Sequence, residues 1–404
     1  MTRTHFLILT AVILSFQYGH AAEPPECPGI ETRFLIRARA ERSQRPLAER
    51  RIRILEKKKP ELLAMPLQNV VDGKKLVAPS GNKHDYISVG TYWWPNPDTP
   101  DGLPYKRRDG VTNPDSKTYD NNRINKLNQC VNELALLWYF TKEAEVAKRA
   151  VAQLRSFFLD RGTRMNPHLK YSQCVPGVSP GRVWGLIDTL WLTDVVNAAA
   201  LLRESEAMTG DDYHSLQAWF KEYTHWLLTD PMTVSDRTRS QNHGLSYQLQ
   251  IVIFSGFAGD PGTAKKHVDK MPDLIVQAID EKGFLPQETA RTESWIYSVF
   301  AMDIIMKHAC AARKYGVDLL DGSTLCGQRI RMAAEKLSGY IKNPELWPHK
   351  VLTPIRPEYL AGVLLRMHAL TGEKVWLDRY QTLKNPKPDR AAEIFYTPNE
   401  SEKQ

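Results

Sequence analysis

The stretch SQNHGLSYQLQIVIFSGF, residues 240–257, decides the fold. Its apolar spacing predicts an amphipathic helix over 242–257 that opens with an Asn-His pair. Similar patterns, separated by turn signals, recur near 123–141, 143–160, 182–205, 211–228, 262–280, 293–315, 323–341 and 355–371. Paired helices of about 15 to 20 residues with short connections indicate an all-α protein, an (α/α) toroid that forms an incomplete barrel. No strict repeat marks the units, so an irregular helical bundle is the alternative.

Changes in composition along the chain divide it into a leader and one large domain. We expect residues 1–22 to be a signal peptide and 23–404 to form a single domain. Within that domain, the sequence of residues 23–64 predicts one or two surface helices. Residues 65–120 form a long aromatic-rich loop region that should carry active-site residues. The helical toroid follows over 121–372, and a polar, Pro-rich tail over 373–404.

The leader indicates export. The basic start MTRTH precedes the apolar run FLILTAVILSF and the small residues of GHAA. That run is too short for a stable membrane anchor, and we expect no second long apolar segment after it. The mature protein should therefore be secreted through the signal peptide, to a periplasm, without contacting a membrane.

The net charge limits the classes of binding partner that are expected, and the cysteine content limits the part that disulfide bonds can play in the fold. The formal net charge is +8 and falls by one when Arg3 leaves with the leader. An exported basic protein is expected to meet an acidic polymer such as a polyuronate rather than nucleic acid, although mild basicity also serves solubility. Five scattered cysteines are too few for a disulfide framework, and one pair, Cys310 with Cys326, is a candidate bridge.

Two loop stretches offer groups that suit an acidic sugar polymer. In HDYISVGTYWWPNPDTPDGLPYKRRDG, residues 84–110, aromatic faces for sugar stacking accompany cations for carboxylates. Alternatively, this loop plugs the end of the helical barrel. In NPHLKYSQCVPGVSPGRVWGLID, residues 166–188, Pro-Gly pairs fix a tight loop before a helix. The candidate substrate contacts are Tyr92, Trp93, Trp94, Arg107 and Arg108 in the first stretch and Gln173 and Arg182 in the second.

The candidate catalytic residues come from 240–250 and from GFLPQETARTESWIYSVFAMD, residues 283–303. Breaking a polyuronate by β-elimination requires loss of the C5 proton, protonation of the leaving O4 and neutralisation of the carboxylate on C5. Asn242, His243 and Arg291 are suitable donors to that carboxylate. Tyr297 can carry the proton, because a cationic neighbour should lower its pKa from about 10.

No metal or other cofactor is expected in this chemistry. His225, His243 and His308 lack the spacing of metal ligands. A bare Asn-His pair is therefore interpreted as a carboxylate-neutralising group.

These four stretches together resemble the alginate-lyase domain of polysaccharide lyases. The resemblance lies in "YWWPNP" with "PYKRRDG", in "YSQCVPG" with "GRVWGLID", in "NHG" and in "LPQETARTESWIY", and it covers about residues 65–320 in order. It implies an α/α toroid that cleaves polyuronates by β-elimination, with Asn242 and His243 as the Asn-His pair, Arg291 as the arginine and Tyr297 as the catalytic tyrosine. The same stretches add Tyr247, Glu288 and Trp295 as candidate substrate contacts.

The resemblance also bears on the substrate. "QNHGLSY" has Gly244 where the best-known alginate lyases have serine, and it looks more like the subgroup that holds glucuronan lyases. In mannuronate and glucuronate the C5 hydrogen and O4 lie on one side, so Tyr297 can serve as base and then acid. In guluronate they lie on opposite faces, and His243 would be the base. A glucuronan or alginate-like polymer of the mannuronate or glucuronate type is favoured.

Two other functions are open from the sequence alone. A glycoside hydrolase on the same fold needs two carboxylic acids that face the cleft, for which Asp188, Glu288 and Glu293 are the candidates. A non-catalytic protein that binds acidic glycans would keep the aromatic and basic residues, but it would not need His243 and Tyr297 together.

Overall fold

The computed structural model describes residues 25–400, so the signal peptide predicted at 1–22 lies outside the described residues. The described chain is mostly helical. Its helices are α1 Thr32–Ala40, α2 Pro46–Ala64, α3 Asp120–Thr141, α4 Ala144–Leu154, α5 Leu192–Leu202, α6 Gly210–Thr229, α7 Asn242–Phe257, α8 Pro261–Val268, α9 Met271–Ala278, α10 Pro286–Thr289, α11 Ser294–Ala312, α12 Leu325–Ser338, α13 Ala361–Thr371, α14 Lys374–Gln381 and α15 Arg390–Phe395.

The helices form two layers around one core. In the inner layer α3 packs on α5, α5 on α7, α7 on α11 and α11 on α13. In the outer layer α4 covers α3, α6 and α8 cover α7, and α14 covers α13. Each helix therefore buries its apolar side against its neighbours, and the (α/α) toroid is confirmed.

Helix α7 is the centre of this core. Fourteen of its sixteen residues are buried, including Tyr247, Gln248 and Gln250. The predicted bounds of 242–257 are confirmed, but the expectation of an amphipathic helix is wrong, because a helix enclosed by neighbours on every side has no solvent face. The buried Gln250 donates to the Leu186 carbonyl and accepts from Thr189.

Other predicted helices are interrupted. The helix expected over 262–280 is two helices, α8 and α9, because Pro272 in the first turn of α9 cannot continue the hydrogen bonds of α8. The helix expected over 182–205 begins as a 3₁₀ turn, Val183–Thr189, before α5. The one expected over 143–160 ends in a π-helical turn, Arg155–Leu159.

The long region 65–120 is irregular, as predicted, and short strands anchor it. Strand β1 (Ile87–Val89) pairs in parallel with β4 (Tyr171–Cys174). Strand β2 (Trp93–Trp94) pairs antiparallel with β3 (Lys106–Arg107), which makes a hairpin. The two stretches singled out at 84–110 and 166–188 are therefore neighbours in space.

The terminal segments contribute to the core. The helices at 23–64 have one buried side, which includes Phe34 and Leu35. The polar tail expected over 373–404 instead forms α14 and α15, and Ile394 and Phe395 are fully buried. This part of the prediction is wrong because polar residues dominate the segment while a few apolar ones at helical spacing fix its packing.

Inner helices share one direction, which places their N-termini at one end of the toroid. Contacts advance in the same direction along α7 and α11, from the hydrogen bond of Leu245 with His308 to the close approach of Gly256 to Tyr315 in the turn that follows α11. The same holds for α11 and α13, from Asp303 with Arg366 to Arg313, in that turn, with Leu370. The positive ends of these helix dipoles therefore lie on the side where Asn242 begins α7 and Tyr297 lies in the first turn of α11.

Two minor expectations also fail. The segment Val183–Leu202 is long and apolar enough, by composition alone, to cross a membrane, although no second such segment was expected. Because 72% of its most apolar window is buried inside the protein, it is explained as a core segment. Cys310 and Cys326 are both free and buried, so the candidate bridge does not form.

Arg45 ties the end of the chain to α2 and yields a stability prediction. Its fully buried guanidinium donates to the carbonyls of Ile394, Phe395 and Thr397. Arg45→Met should lower the free energy of unfolding by about 3 kcal/mol, since it leaves buried carbonyls without donors. Urea denaturation measures this.

The matched control is Arg53→Met on the same helix, where the side chain is 70% exposed and pairs with Glu49. It should change stability by less than about 0.5 kcal/mol. Equal stability of the two variants would show that Arg45 does not hold the C-terminal segment.

Candidate active site

Tyr297, in the first turn of α11, lies at the centre of the predicted catalytic group. Its hydroxyl is 2.6 Å from the hydroxyl of Tyr92 and accepts a hydrogen bond of 3.0 Å from Nη2 of Arg291. The Cζ of Arg291 lies 4.1 Å from the centre of the Tyr297 ring. Three residues predicted from two separate stretches therefore meet at one phenol oxygen.

The pKa of Tyr297 differs from the expectation. Burial, followed by the neighbouring Tyr92 hydroxyl, raises the pKa of Tyr297 well above its usual value of about 10, and the charge of Arg291 opposes this without overcoming it. The prediction that a cation lowers this pKa has the right sign for Arg291 alone. It is wrong for the combined effect of burial and all neighbouring groups, which raises the pKa of Tyr297. In the substrate-free protein Tyr297 is therefore a neutral phenol.

Asn242 is held by Glu288. The backbone N–H and the side-chain amide of Asn242 each donate to one carboxylate oxygen of Glu288 at 2.7 Å. Glu288 is 1% exposed, so it is not the substrate contact that was predicted but a group that positions Asn242. The second hydrogen of the Asn242 side-chain amide is not used in these two hydrogen bonds and can be donated to another acceptor.

His243 follows on α7 and is neutral. Burial, followed by the charges of Arg291, Arg239 and Arg182, lowers the pKa of His243 to about 3. Its ring meets Trp184 edge-on, with centroids 4.8 Å apart, and its Nδ1 is buried with no hydrogen-bond partner among residues 25–400. A neutral imidazole carries one N–H and can donate one hydrogen bond.

Gln173 and Arg182, the candidate substrate contacts of the second loop stretch, lie together. The Nε of Arg182 donates to the carbonyl of Gln173 at 2.8 Å, and its Cζ lies 5.2 Å from the ring centre of Trp93. Gln173 donates from its amide to Asp188 at 3.1 Å and has a positive φ of 43°, uncommon outside glycine. Since Arg182 contributes to the lowered pKa of His243, this group borders the catalytic one.

The hairpin presents the remaining cations of the predicted set. Arg107 and Arg108 are exposed, and Trp94 is half-buried. The Cζ of Arg108 lies 5.1 Å from the ring centre of Trp94, and Arg107 donates to Asp109 at 2.6 Å. These side chains are accessible to an anionic ligand.

Two predicted substrate contacts belong to the core instead. Tyr247 is fully buried and donates from its hydroxyl to the Leu227 carbonyl at 2.9 Å. Trp295 is 1% exposed and packs edge-on against Trp347 with centroids 5.2 Å apart. Both predictions are wrong because α7 and α11 are inner helices, so their aromatic residues face other helices.

The carboxylates proposed for a hydrolase do not form a facing pair. Asp188 accepts from Tyr86, Ser88 and Gln173. Glu288 holds Asn242, and Glu293 accepts from the Leu352 backbone N–H and the Thr353 hydroxyl. Each of the three therefore already holds a neighbouring part of the protein.

Sequence reasoning missed three residues of the site. Asp109 accepts from Arg291 at 3.1 Å and from Thr292 at 3.0 Å. Trp184 lies against His243, and the Cζ of Arg239 lies 4.2 Å from the Trp184 ring centre. Asp109 and Trp184 lie inside stretches already singled out, but their partners are distant in the chain, so no local signal distinguished them.

Histidine, cysteine and acidic side chains are dispersed over residues 25–400. These residues contain no group of three or more His, Cys, Asp or Glu side chains that could hold a metal ion. His225 is exposed, whereas His308 is buried and bonded through Nε2 to the Leu245 carbonyl.

Comparisons with known proteins agree on one family. The model of the family described as alginate lyase matches residues 69–347. The structure of an alginate lyase from Bacteroides ovatus is 29% identical with a TM-score of 0.86, over 92% of this chain and 99% of that one. Alginate lyase A1-III from Sphingomonas species A1 is 15% identical with a TM-score of 0.53, over 85% of this chain and 94% of that one.

A further solved structure contains a ligand. It is a Tyr-to-Phe variant of alginate lyase A1-III complexed with a tetrasaccharide, 16% identical with a TM-score of 0.55, over 87% of this chain and 95% of that one. A search of curated proteins gives no significant match.

Gly244 generates a prediction about the site. A Cβ at this position would lie 1.9 Å from the carbonyl oxygen of Arg239. Gly244→Ala must therefore displace Arg239, which stacks on Trp184 beside His243. We expect a loss of about 1–3 kcal/mol in the free energy of unfolding, measured in urea, together with a lower kcat/KM.

Gly262→Ala in α8 is the control, because its Cβ would meet only Asp260, at 3.6 Å. It should cost no stability. A Gly244→Ala protein as stable and active as the wild type would show that the start of α7 tolerates a side chain here.

Proposed function

Because this chain belongs to the alginate lyase family and is a polysaccharide lyase, we propose that it cleaves a polyuronate of the mannuronate or glucuronate type, such as glucuronan or polymannuronate, by β-elimination. Tyr297 is the proposed acid and base. The carboxylate at the reacting sugar is neutralised by Asn242, His243 and Arg291.

One observation carries this proposal: a single phenol oxygen, that of Tyr297, has both a second phenol and a guanidinium within 3.0 Å. The guanidinium stabilises the phenolate, and Tyr92 can donate a hydrogen bond to it. A phenolate whose pKa is raised is also a strong base, which suits the weakly acidic C5 proton. The same oxygen can then return the proton to O4 as the C4–O4 bond breaks and the C4–C5 double bond forms.

The groups of the protein that are proposed to neutralise the substrate carboxylate are all hydrogen-bond donors. Arg291 supplies a cation, neutral His243 one N–H and Asn242 its remaining amide hydrogen. Donors that are fixed before the reaction stabilise the enolate-like intermediate without reorganising. Glu288 contributes by holding Asn242 in place.

The state of His243 favours the one-residue mechanism. A base whose pKa is lowered to about 3 is a poor acceptor for the C5 proton. The site therefore suits a guluronate mechanism, in which His243 is the base and Tyr297 the acid, less well than a mechanism in which Tyr297 is both base and acid. This argument supports mannuronate or glucuronate as the substrate sugar.

Binding of an anionic chain is supported by the surroundings of the site. Arg182 with Trp93 and Arg108 with Trp94 each combine a cation with an aromatic face, which suits an acidic sugar ring. The N-termini of inner helices add positive potential at the same end. A relative of this fold has been crystallised with a tetrasaccharide, which supports an oligosaccharide ligand here.

The place of action is proposed from residues 1–22 alone. Their signal-peptide pattern supports secretion, with a periplasm as the compartment where a polyuronate would be met.

The first experiment is ultraviolet absorbance over time on separate samples of glucuronan, polymannuronate and polyguluronate. Elimination creates a conjugated C4–C5 double bond, so absorbance should rise on glucuronan or polymannuronate and least on polyguluronate. Tyr297→Phe should abolish the rise, because it removes the proposed proton carrier, while the fold is kept. Tyr213→Phe on outer helix α6 is the control and should behave as wild type.

A wild-type rate in Tyr297→Phe would remove Tyr297 from the mechanism. A rise on polyguluronate alone would contradict the proposed sugar and make His243 the base.

The pH dependence separates the two titrating groups. Activity needs Tyr297 deprotonated and His243 neutral, and rising pH favours both forms. The pKa of His243 is about 3, so His243 stays neutral between about pH 5 and 8. The pKa of Tyr297 lies well above its usual value, so its small ionised fraction rises about tenfold with each pH unit over this range. The logarithm of kcat/KM should rise with a slope of about 1 over this range at constant ionic strength. A slope near 2 below about pH 6.5 would show that His243 titrates at its ordinary value.

A further inference from the structure

One hairpin carries two contacts to the start of α11. Tyr92, just before β2, reaches Tyr297, and Asp109, just after β3, reaches Arg291. The backbone N–H of Arg108 donates to the Tyr92 carbonyl at 2.8 Å, so the two arms are joined beside these contacts. A shift of the hairpin therefore moves the phenol and the carboxylate together.

Both oxygens of the Asp109 carboxylate accept hydrogen bonds. Its Oδ1 accepts from Nη2 of Arg291 at 3.1 Å and from Nη2 of Arg107 at 2.6 Å, and its Oδ2 accepts from Thr292 at 3.0 Å. Gly110 follows with φ of 77°, and a Cβ there would lie 2.6 Å from Oγ1 of Thr292. The close backbone approach that only glycine allows fixes Asp109 against Arg291 and Thr292.

Arg291 depends on this carboxylate for its orientation. Its Nη2 donates both to Asp109 and to Tyr297, whereas its Nε is buried without a partner among residues 25–400. Within that part of the chain, Asp109 is the acidic side chain in ion-pair contact with Arg291. The donor that reaches the phenol oxygen is thus aimed by a carboxylate from another part of the chain.

We propose that Asp109 is a positioning residue for the elimination: it aims Nη2 of Arg291 at the Tyr297 hydroxyl and partly neutralises the charge that Arg291 presents there. The inference rests on the proposed role of Tyr297 and goes beyond it by naming what tunes that phenol. Asp109 contacts Arg291, which in turn contacts the phenol, so it orients the phenol's hydrogen-bond donor and adds its own negative charge nearby.

The charges that face Tyr297 define the expected effect. Tyr92 and Asp109 approach from the hairpin, Arg291 from the turn before α11, and neutral His243 lies on α7. Arg291 lowers the pKa of Tyr297 and Asp109 raises it. Removing the negative charge should therefore make the phenol more acidic, whereas removing the whole side chain should also release Arg291.

The test uses two variants of the full chain. In Asp109→Ala, Arg291 loses its partner, and kcat on the polymer cleaved by the wild type should fall about 10- to 100-fold with KM within about twofold. Asp109→Asn keeps the shape and removes the charge. Its effect is measured with Tyr297 replaced by 3,5-difluorotyrosine, a more acidic phenol that absorbs when ionised. Titration should show a phenol pKa about 0.5–1 unit lower than with Asp109 present.

Asp98→Asn is the matched control. It makes the same charge change in the same loop, but Asp98 is 72% exposed and pairs with Lys106. It should leave both readouts at the wild-type values.

An unchanged phenol pKa in Asp109→Asn, or a kcat within about twofold of wild type in Asp109→Ala, overturns the inference. If Asp109 only braced the hairpin, Asp109→Ala would be less stable in urea while the phenol pKa in Asp109→Asn stayed the same. Failure of the proposed function looks different, because Tyr297→Phe would then keep wild-type activity or no polymer would be cleaved by the wild-type protein.

Discussion

The paired hydrogen bonds between Asn242 and Glu288 are the constraint on which the site depends. They join the first residue of α7 to the short helix α10 that leads into α11, so they fix where two inner helices begin relative to one another. His243 comes one residue after this joint, and Arg291 three residues after it. Because both partners are almost fully buried, breaking the pair would leave a carboxylate without donors in the core. The residues proposed to react are therefore placed by a buried contact between an amide and a carboxylate.

The second organising feature is the excess of positive charge beside the half-buried His243. Arg182, Arg239 and Arg291 all act on His243 from different elements, and together with burial they keep it neutral. In the proposed reaction, a polyuronate brings the opposite charge to this end of the toroid, where the N-termini of inner helices also lie. The cations can thus attract and hold the polymer while His243 stays an uncharged donor. Binding and chemistry use the same arginines for different purposes.

The helical fold was predictable because periodic apolar spacing is a local property. The bounds of α7 and the region of Tyr297 on α11 were correct for that reason. What failed depends on distant contacts: Tyr247 and Trp295 look like cleft aromatics until neighbouring helices cover them. Glu288 looks like a free carboxylate until Asn242 is brought to it across 46 residues of chain. Asp109 lay inside a stretch already chosen, yet nothing local connects it to an arginine 182 positions away. Residue type and spacing suggest candidates for the reacting groups, whereas the residues that hold those candidates are visible only in three dimensions.

The raised pKa of Tyr297 follows from how the site is assembled. In the proposed mechanism the phenolate of Tyr297 must remove a weakly acidic proton. A high pKa makes this phenolate a stronger base, but it also lowers the fraction of molecules in which Tyr297 is ionised, so the pKa is a compromise between base strength and ionised fraction. Arg291 favours ionisation, while burial, Tyr92 and Asp109 oppose it. Two of the three opposing influences come from the hairpin, which is held to α11 by hydrogen bonds and an ion pair rather than by a disulfide. The docking of one surface hairpin thereby sets the proton affinity of the residue that the core holds in place, and a change in that docking would alter chemistry without altering the toroid.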